Sequence, residues 1–163
     1  EDNILSVLEM TGKPREYQME KLESLINDFD LQKVRKNLGD QLSGGERRRT
    51  EIARCLANDP KFIMLDEPFA GVDPIQVEEI QNIVWRLKYR NIGILITDHN
   101  VDETLAITDR AYLLFEGRIL FQGSPEELAE NKIVKEKYLT TGFVLRKKDF
   151  QLSDEQKRAE EGK

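Results

Sequence analysis

What is scarce in this chain sets the first limits. Among 163 residues there is one cysteine, one histidine and one tryptophan. A single cysteine excludes an internal disulfide, and Cys55, set inside a helical pattern, reads as a small buried hydrophobe in a reducing, cytoplasmic setting. No apolar run approaches the roughly 20 residues a spanning helix needs, so membrane association is expected only through a protein partner. Positive charge is in deficit, with 25 Lys and Arg against 31 Asp and Glu for a net charge of −6. That balance argues against nucleic-acid binding, which relies on clustered cations to neutralise phosphates. The opening Glu1-Asp2-Asn3-Ile4-Leu5 has neither an initiator methionine nor a signal peptide's basic flank and apolar core, and reads as a cut into a longer protein. Also missing is the phosphate loop G-x-x-x-x-G-K-[ST], whose amides and lysine cradle phosphates. Its nearest approach runs from Gly39 to Gly44 and continues with Gly45 and Glu46 instead of lysine.

What is present is an ordinary globular composition, 34% charged and 39% hydrophobic, in a length suited to one domain. Apolar residues at helical spacing predict helices over 4–10 and 15–29, separated by Gly12 and Pro14. Beyond the Gly39 turn the pattern predicts a helix from about Ser43 to Ala57, a strand over 61–66, a helix over about 74–90 and a strand over 93–97. Strands alternating with helices imply a parallel α/β sheet. Residues 109–116 and 118–123 read as a hairpin turning at Glu116-Gly117, and Pro125 opens helical segments reaching about Leu139. From Arg146 the chain is charged and is expected to form a flexible tail. The resulting division is a helical subdomain over 1–40, an α/β part over 41–145 and a tail over 146–163.

Three places carry chemistry. In Leu42-Ser43-Gly44-Gly45-Glu46, Ser43 and Glu46 have the spacing of a capping box, which merely satisfies orphan helix amides. The glycine pair lowers helix propensity, however, and such a loss fits a backbone that must approach a ligand closely. A helix N-terminus with bare amides is an anion site. The second place is Asp66-Glu67, which follows the four apolar residues Phe62-Ile63-Met64-Leu65, a run that fits a fully buried strand. Ligands of open α/β sheets bind at the carboxyl ends of strands. There Asp66 is suited to hold Mg²⁺ and Glu67 to orient and deprotonate a water, and the alternative is a pair of solvated loop acids. Asp73, just before Pro74, also has the position of a helix cap. Third is His99, in Thr97-Asp98-His99-Asn100 at the end of the second strand. A lone histidine is usually a surface or packing residue, but this one would neighbour Glu67 if the two strands are close. The basic run Arg47 to Arg49 is either a solvated helix face or electrostatic support for phosphates.

In this order the motifs resemble the ATP-binding subunits of ABC transporters, and among them the lipopolysaccharide-export type. The resemblance rests on Leu42-Ser43-Gly44-Gly45-Glu46-Arg47-Arg48-Arg49, Asp66-Glu67-Pro68-Phe69-Ala70-Gly71-Val72-Asp73-Pro74-Ile75 and Leu95-Ile96-Thr97-Asp98-His99-Asn100-Val101, and extends to Leu145. It implies a partial P-loop NTPase fold, a parallel sheet flanked by helices with a small helical subdomain. It further implies ATP and Mg²⁺ as cofactors, with Leu42, Ser43, Gly44, Gly45 and Glu46 as the signature acting in trans on the γ-phosphate of ATP held by a second copy. Asp66 would be the metal ligand, Glu67 the catalytic carboxylate, His99 the switch histidine and Asp73 the acid of the D-loop at the subunit interface. Implied partners are that second copy and transmembrane permease subunits met through residues 4–38, on the cytoplasmic face of a bacterial inner membrane. The family's phosphate-loop lysine and Q-loop glutamine are expected upstream of Glu1, so the piece alone is expected to be inactive and, with strand edges unpaired and the core incomplete, to be marginally stable or to self-associate. Two alternatives stand beside this reading: an ABC ATPase for another cargo such as branched-chain amino acids, and a nonenzymatic half-module acting only as an interaction partner.

Overall fold

The structure, a computed structural model, describes residues 1–139 and 145. The expected tail over 146–163 lies outside them. Backbone contacts divide the chain into two compact units, Glu1–Thr97 and Asp98–Lys163.

In the first unit, α1 (Asp2–Met10) and α2 (Arg15–Asp28) pack on one another through Ile4, Leu8, Leu22, Leu25 and Ile26, the apolar positions of the helical spacing. Two 3-10 turns, Gln32–Val34 and Gly39–Gln41, lead into α3 (Gly44–Leu56). α3 turns Ile52, Ala53 and Leu56 inward and packs on α1, α2 and α4 (Pro74–Tyr89). Cys55 is exposed, correcting the expectation of a buried hydrophobe: the buried stripe is centred between Ile52 and Ala53 on the side of Leu56, and position 55 lies roughly 100° round the helix from that centre, at its solvent flank. Past α3 the chain reverses at Asp59, which is left-handed with φ 47°. Its carboxylate accepts from Tyr17 at 2.7 Å and pairs with Lys21, contacts that hold it below the usual carboxylate range, Lys21 contributing most.

The sheet of this unit is β1 (Phe62–Asp66) beside β2 (Gly93–Thr97), parallel and in register from Phe62 opposite Gly93 to Asp66 opposite Thr97. Ile63 and Leu65 are buried, whereas Phe62 and Met64 on the other face are 57% and 71% exposed, with Leu95 beside them at 41%. β1 is therefore half-buried, not the fully buried strand its apolar run suggested. Among the described residues one face of β1 is covered and the other is not, so the pleat sends alternate side chains to solvent. Among the described residues neither outer edge of the pair has a strand partner.

The second unit has its own core of Leu105, Leu128 and Val134, joined by Val101, Ala111, Leu113 and Phe121. It comprises α5 (Val101–Leu105), which the sequence pattern missed, the antiparallel hairpin of β3 (Ala111–Phe115) and β4 (Arg118–Gly123), α6 (Pro125–Glu130) and α7 (Lys132–Lys137). The hairpin turns at Glu116-Gly117, where φ is 47° and 74°, the positive pair that a two-residue turn requires. α6 starts with a capping box, Ser124 accepting from the Glu127 amide at 3.2 Å while Glu127 accepts from the Ser124 amide at 2.8 Å. Among the described residues no helix is long and apolar enough to cross a membrane.

Candidate functional site

The capping box at the head of α3 forms. Ser43 Oγ accepts the Glu46 amide at 3.3 Å, and Glu46 Oε2 accepts the Ser43 amide at 2.8 Å. These bonds to Ser43, first through its amide and then its hydroxyl, hold the Glu46 carboxyl below its ordinary range. Gly44 and Gly45 are the first two helical residues, whose amides have no carbonyl acceptor in the preceding turn. Their lack of side chains serves packing as well. A Cβ on Gly44 would stand 3.3 Å from the Gly71 carbonyl oxygen, and one on Gly45 would overlap the Gln76 side chain. The head of α3 therefore lies against the loop from Glu67 to Asp73, and a cleft of about 310 Å³ there is lined by Gly44, Arg47, Arg48, Glu51, Ala70 and Val72. Leu42 is half-buried and lines a neighbouring cavity of about 400 Å³ with Gly39, Asp40, Arg47 and Arg54.

Asp66 closes β1, exposed at the carboxyl end of a parallel strand, and its Oδ1 accepts a hydrogen bond from the Thr97 hydroxyl across the register. Glu67 follows with φ 45°. That conformation is disfavoured twice: it is left-handed for a residue with a Cβ, and Pro68 restricts the residue before it. Three bonds meet at its backbone. The Glu67 amide donates to Thr97 O at 2.7 Å, and its carbonyl accepts from the Ala70 amide at 3.2 Å and from Arg48 Nη2 at 2.9 Å. No sequence pattern pointed to Arg48 as a partner of Glu67. The one legible hint of strain was the proline after it.

Asp73 accepts the amides of Ile75 and Gln76, both at 3.1 Å, with Pro74 at the first helical position, so the cap geometry at α4 is real. His99 lies in the second unit, exposed, with Nδ1 3.8 Å from Asp98 Oδ1. Asp98 also accepts the Asn100 amide at 2.8 Å, and Asn100 caps α5 by accepting the Glu103 amide at 3.3 Å. Within the first unit the structure brings together the signature turn, the Asp66-Glu67 strand end and the loop to Asp73. No group of three or more His, Cys, Asp or Glu forms a ready metal cage among the described residues. Asp66 instead fits the kind of Mg²⁺ site that uses one or two carboxylates and completes its shell with substrate phosphates and water.

Comparison with known proteins agrees with this architecture. A model of the ABC transporter family matches residues 2–70. An ATP-binding cassette of an ABC transporter, MJ1267, superposes with a TM-score of 0.69 at 32% identity, covering 78% of this chain and 53% of that one. By its sequence over residues 2–70 and by its fold the chain is similar to the ATP-binding cassettes of ABC transporters, which have the P-loop NTPase fold. Within that class it is similar to the lipopolysaccharide export system ATP-binding protein LptB. It is 51% identical to LptB of Acidithiobacillus ferridurans over 144 residues, 88% of this chain and 60% of that protein. Against LptB of Escherichia coli K12 the identity is 46% over 145 residues, again 88% of this chain and 60% of the relative. The chain thus spans about 60% of the length of these curated relatives.

Proposed function

We propose that this chain is part of an ABC ATPase subunit whose ATP binding and hydrolysis drive lipopolysaccharide export. The observation that carries the reading is its 51% identity to an LptB across 88% of its length. The chemistry is assigned residue by residue. Asp66, oriented by the Thr97 hydroxyl, would hold Mg²⁺ at the strand end. Bound with ATP, Mg²⁺ neutralises charge on the transferring phosphoryl group. Glu67 orients the attacking water and takes its proton, and His99 holds the γ-phosphate and water by hydrogen bonds either ring nitrogen can make. The amides of Gly44 and Gly45, with Ser43 at the cap, receive the γ-phosphate of ATP held by a second copy, and Leu42 and Glu46 set the turn that presents them. Asp73 lies at the same subunit interface while capping α4.

In this proposal two copies enclose two ATP molecules head to tail. Closure, favoured because ATP binds the closed state better than the open one, drives paired transmembrane permease subunits. Residues 1–40 form the helical subdomain that meets those subunits, and the assembly sits on the cytoplasmic face of a bacterial inner membrane. In a complete subunit carrying this sequence, Glu67→Gln is expected to bind ATP and lower turnover by about a hundredfold or more, the scale of lost general-base catalysis. Undiminished phosphate release by that variant removes Glu67 from the role. Co-purification with lipopolysaccharide-export permeases and not with amino-acid importers tests the cargo.

A further inference from the structure

The proposed active site holds a mechanical link that its motifs do not record. Arg48 stands in the second turn of α3, just past the signature, with 24% of its side chain exposed. Its guanidinium forks. Nη1 pairs with Glu51 at 2.9 Å one turn along the same helix, and Nη2 donates to the Glu67 carbonyl at 2.9 Å, nineteen positions away in sequence. The Glu51 pair fixes the fork, since a planar guanidinium anchored through one nitrogen has its others pointed in set directions. The bond to Glu67 is therefore directional.

Its target matters because Glu67 holds a backbone conformation that its own sequence opposes. A left-handed, pre-proline residue persists only where its surroundings over-determine it. Two of the restraints are local to the strand end: the Thr97 carbonyl on β2 and the Ala70 amide in the same loop. The third is the Arg48 bond, which joins Glu67 to α3. Signature turn and Arg48 belong to one rigid helix, and the Gly44 contact with Gly71 keeps the head of that helix against the loop beyond Glu67. Displacing the head of α3 therefore pulls on the Glu67 carbonyl.

We propose that Arg48 is a positioning residue that couples phosphate engagement at the signature turn to the placement of the Glu67 carboxylate. This rests on the reading of Glu67 as the water-orienting base. When α3 is seated, Arg48 completes the restraints on Glu67 and the carboxylate is held for chemistry. When α3 is drawn away, Glu67 relaxes toward the extended conformation that Pro68 favours, and the base leaves its place. Glu67 placement is thus conditional on the second copy that loads the signature turn.

In a complete subunit carrying this sequence, Arg48→Ala is expected to lower kcat between about tenfold and a hundredfold, the scale of a slightly misplaced catalytic group, with KM for ATP within about twofold. Arg48→Lys, which keeps a charged donor but loses the fork, restores part of that kcat. In the chain itself, hydrogen–deuterium exchange at the amides of Glu67 and Ala70 is expected to rise in Arg48→Ala while the interior of β2 keeps its wild-type rates. Full kcat in Arg48→Ala, or unchanged exchange at Glu67 and Ala70 in a folded variant, overturns the proposal. If the alanine variant does not fold, Arg48→Met, which preserves the apolar stem and helix propensity, takes its place with the same two readouts. Glu67→Gln run alongside separates the two levels. Turnover by that variant removes the base assignment itself, whereas its silence beside a fully active Arg48→Ala removes only the link.

Discussion

The turn at Ser43 and the turn at Glu67 lie close together and are built by opposite means. At Ser43 the backbone is extended, as a cap requires, and its bonds close within four residues: Ser43 to Glu46, Glu46 back to Ser43, and the Arg47 amide to the Ser43 carbonyl. At Glu67 the backbone is left-handed, and two of its restraints arrive from Arg48 and Thr97, nineteen and thirty positions away. A turn satisfied locally persists wherever its helix persists. A turn held by distant partners lasts only while those partners stay in place, which suits the role proposed for Glu67, that of a base that would act in one arrangement of the molecule.

Substitutions at the two turns sharpen this contrast. Ser43→Ala removes the cap and is expected to cost about 1 kcal/mol of stability in urea unfolding, the usual scale for a lost N-cap. A change within a few tenths of a kcal/mol would mean that the capping bonds are idle. Glu67→Gly, by contrast, is expected to stabilise the first unit by up to about 1 kcal/mol, because glycine adopts positive φ without the Cβ penalty. A lower melting temperature for that variant would show that the Glu67 side chain contributes more to folding than its backbone strain takes away.

The smallest effect is expected from acid. Glu46 has its folded-state pKa depressed by its bonds to Ser43, so its contribution to stability is complete above its ordinary value of 4.5 and is lost as pH falls through the lower folded value. Melting temperatures taken downward from pH 4.5 are expected to fall less steeply in Glu46→Gln than in the wild type. Equal slopes would show that the Ser43 bonds do not discriminate between the two protonation states.

Much of this was open to reading in the residues. The strand at Gly93–Thr97, the helix behind Pro74, the hairpin turning at Glu116-Gly117 and the capping box at Ser43 all follow from signals spanning a few positions. Short α5 escaped because five residues carry too little periodicity, although Asn100 was its cap. Cys55 reads as buried because it borders the apolar stripe of Ile52, Ala53 and Leu56, yet it falls just outside that stripe. β1 reads as buried on both sides because an unbroken apolar run records what a strand can bury, and the layers actually laid against it decide what it does bury.

The sequence by itself determined most of the elements, their order and the caps, since each of these depends on side-chain type and near-neighbour spacing. Only the tertiary structure decided that Gly44 meets Gly71, that Asp66 is oriented by Thr97 and that Glu67 is strained and clamped by Arg48. Those contacts join residues far apart in the chain, and a left-handed glutamate before proline is a state that local preference opposes and only long-range bonds sustain.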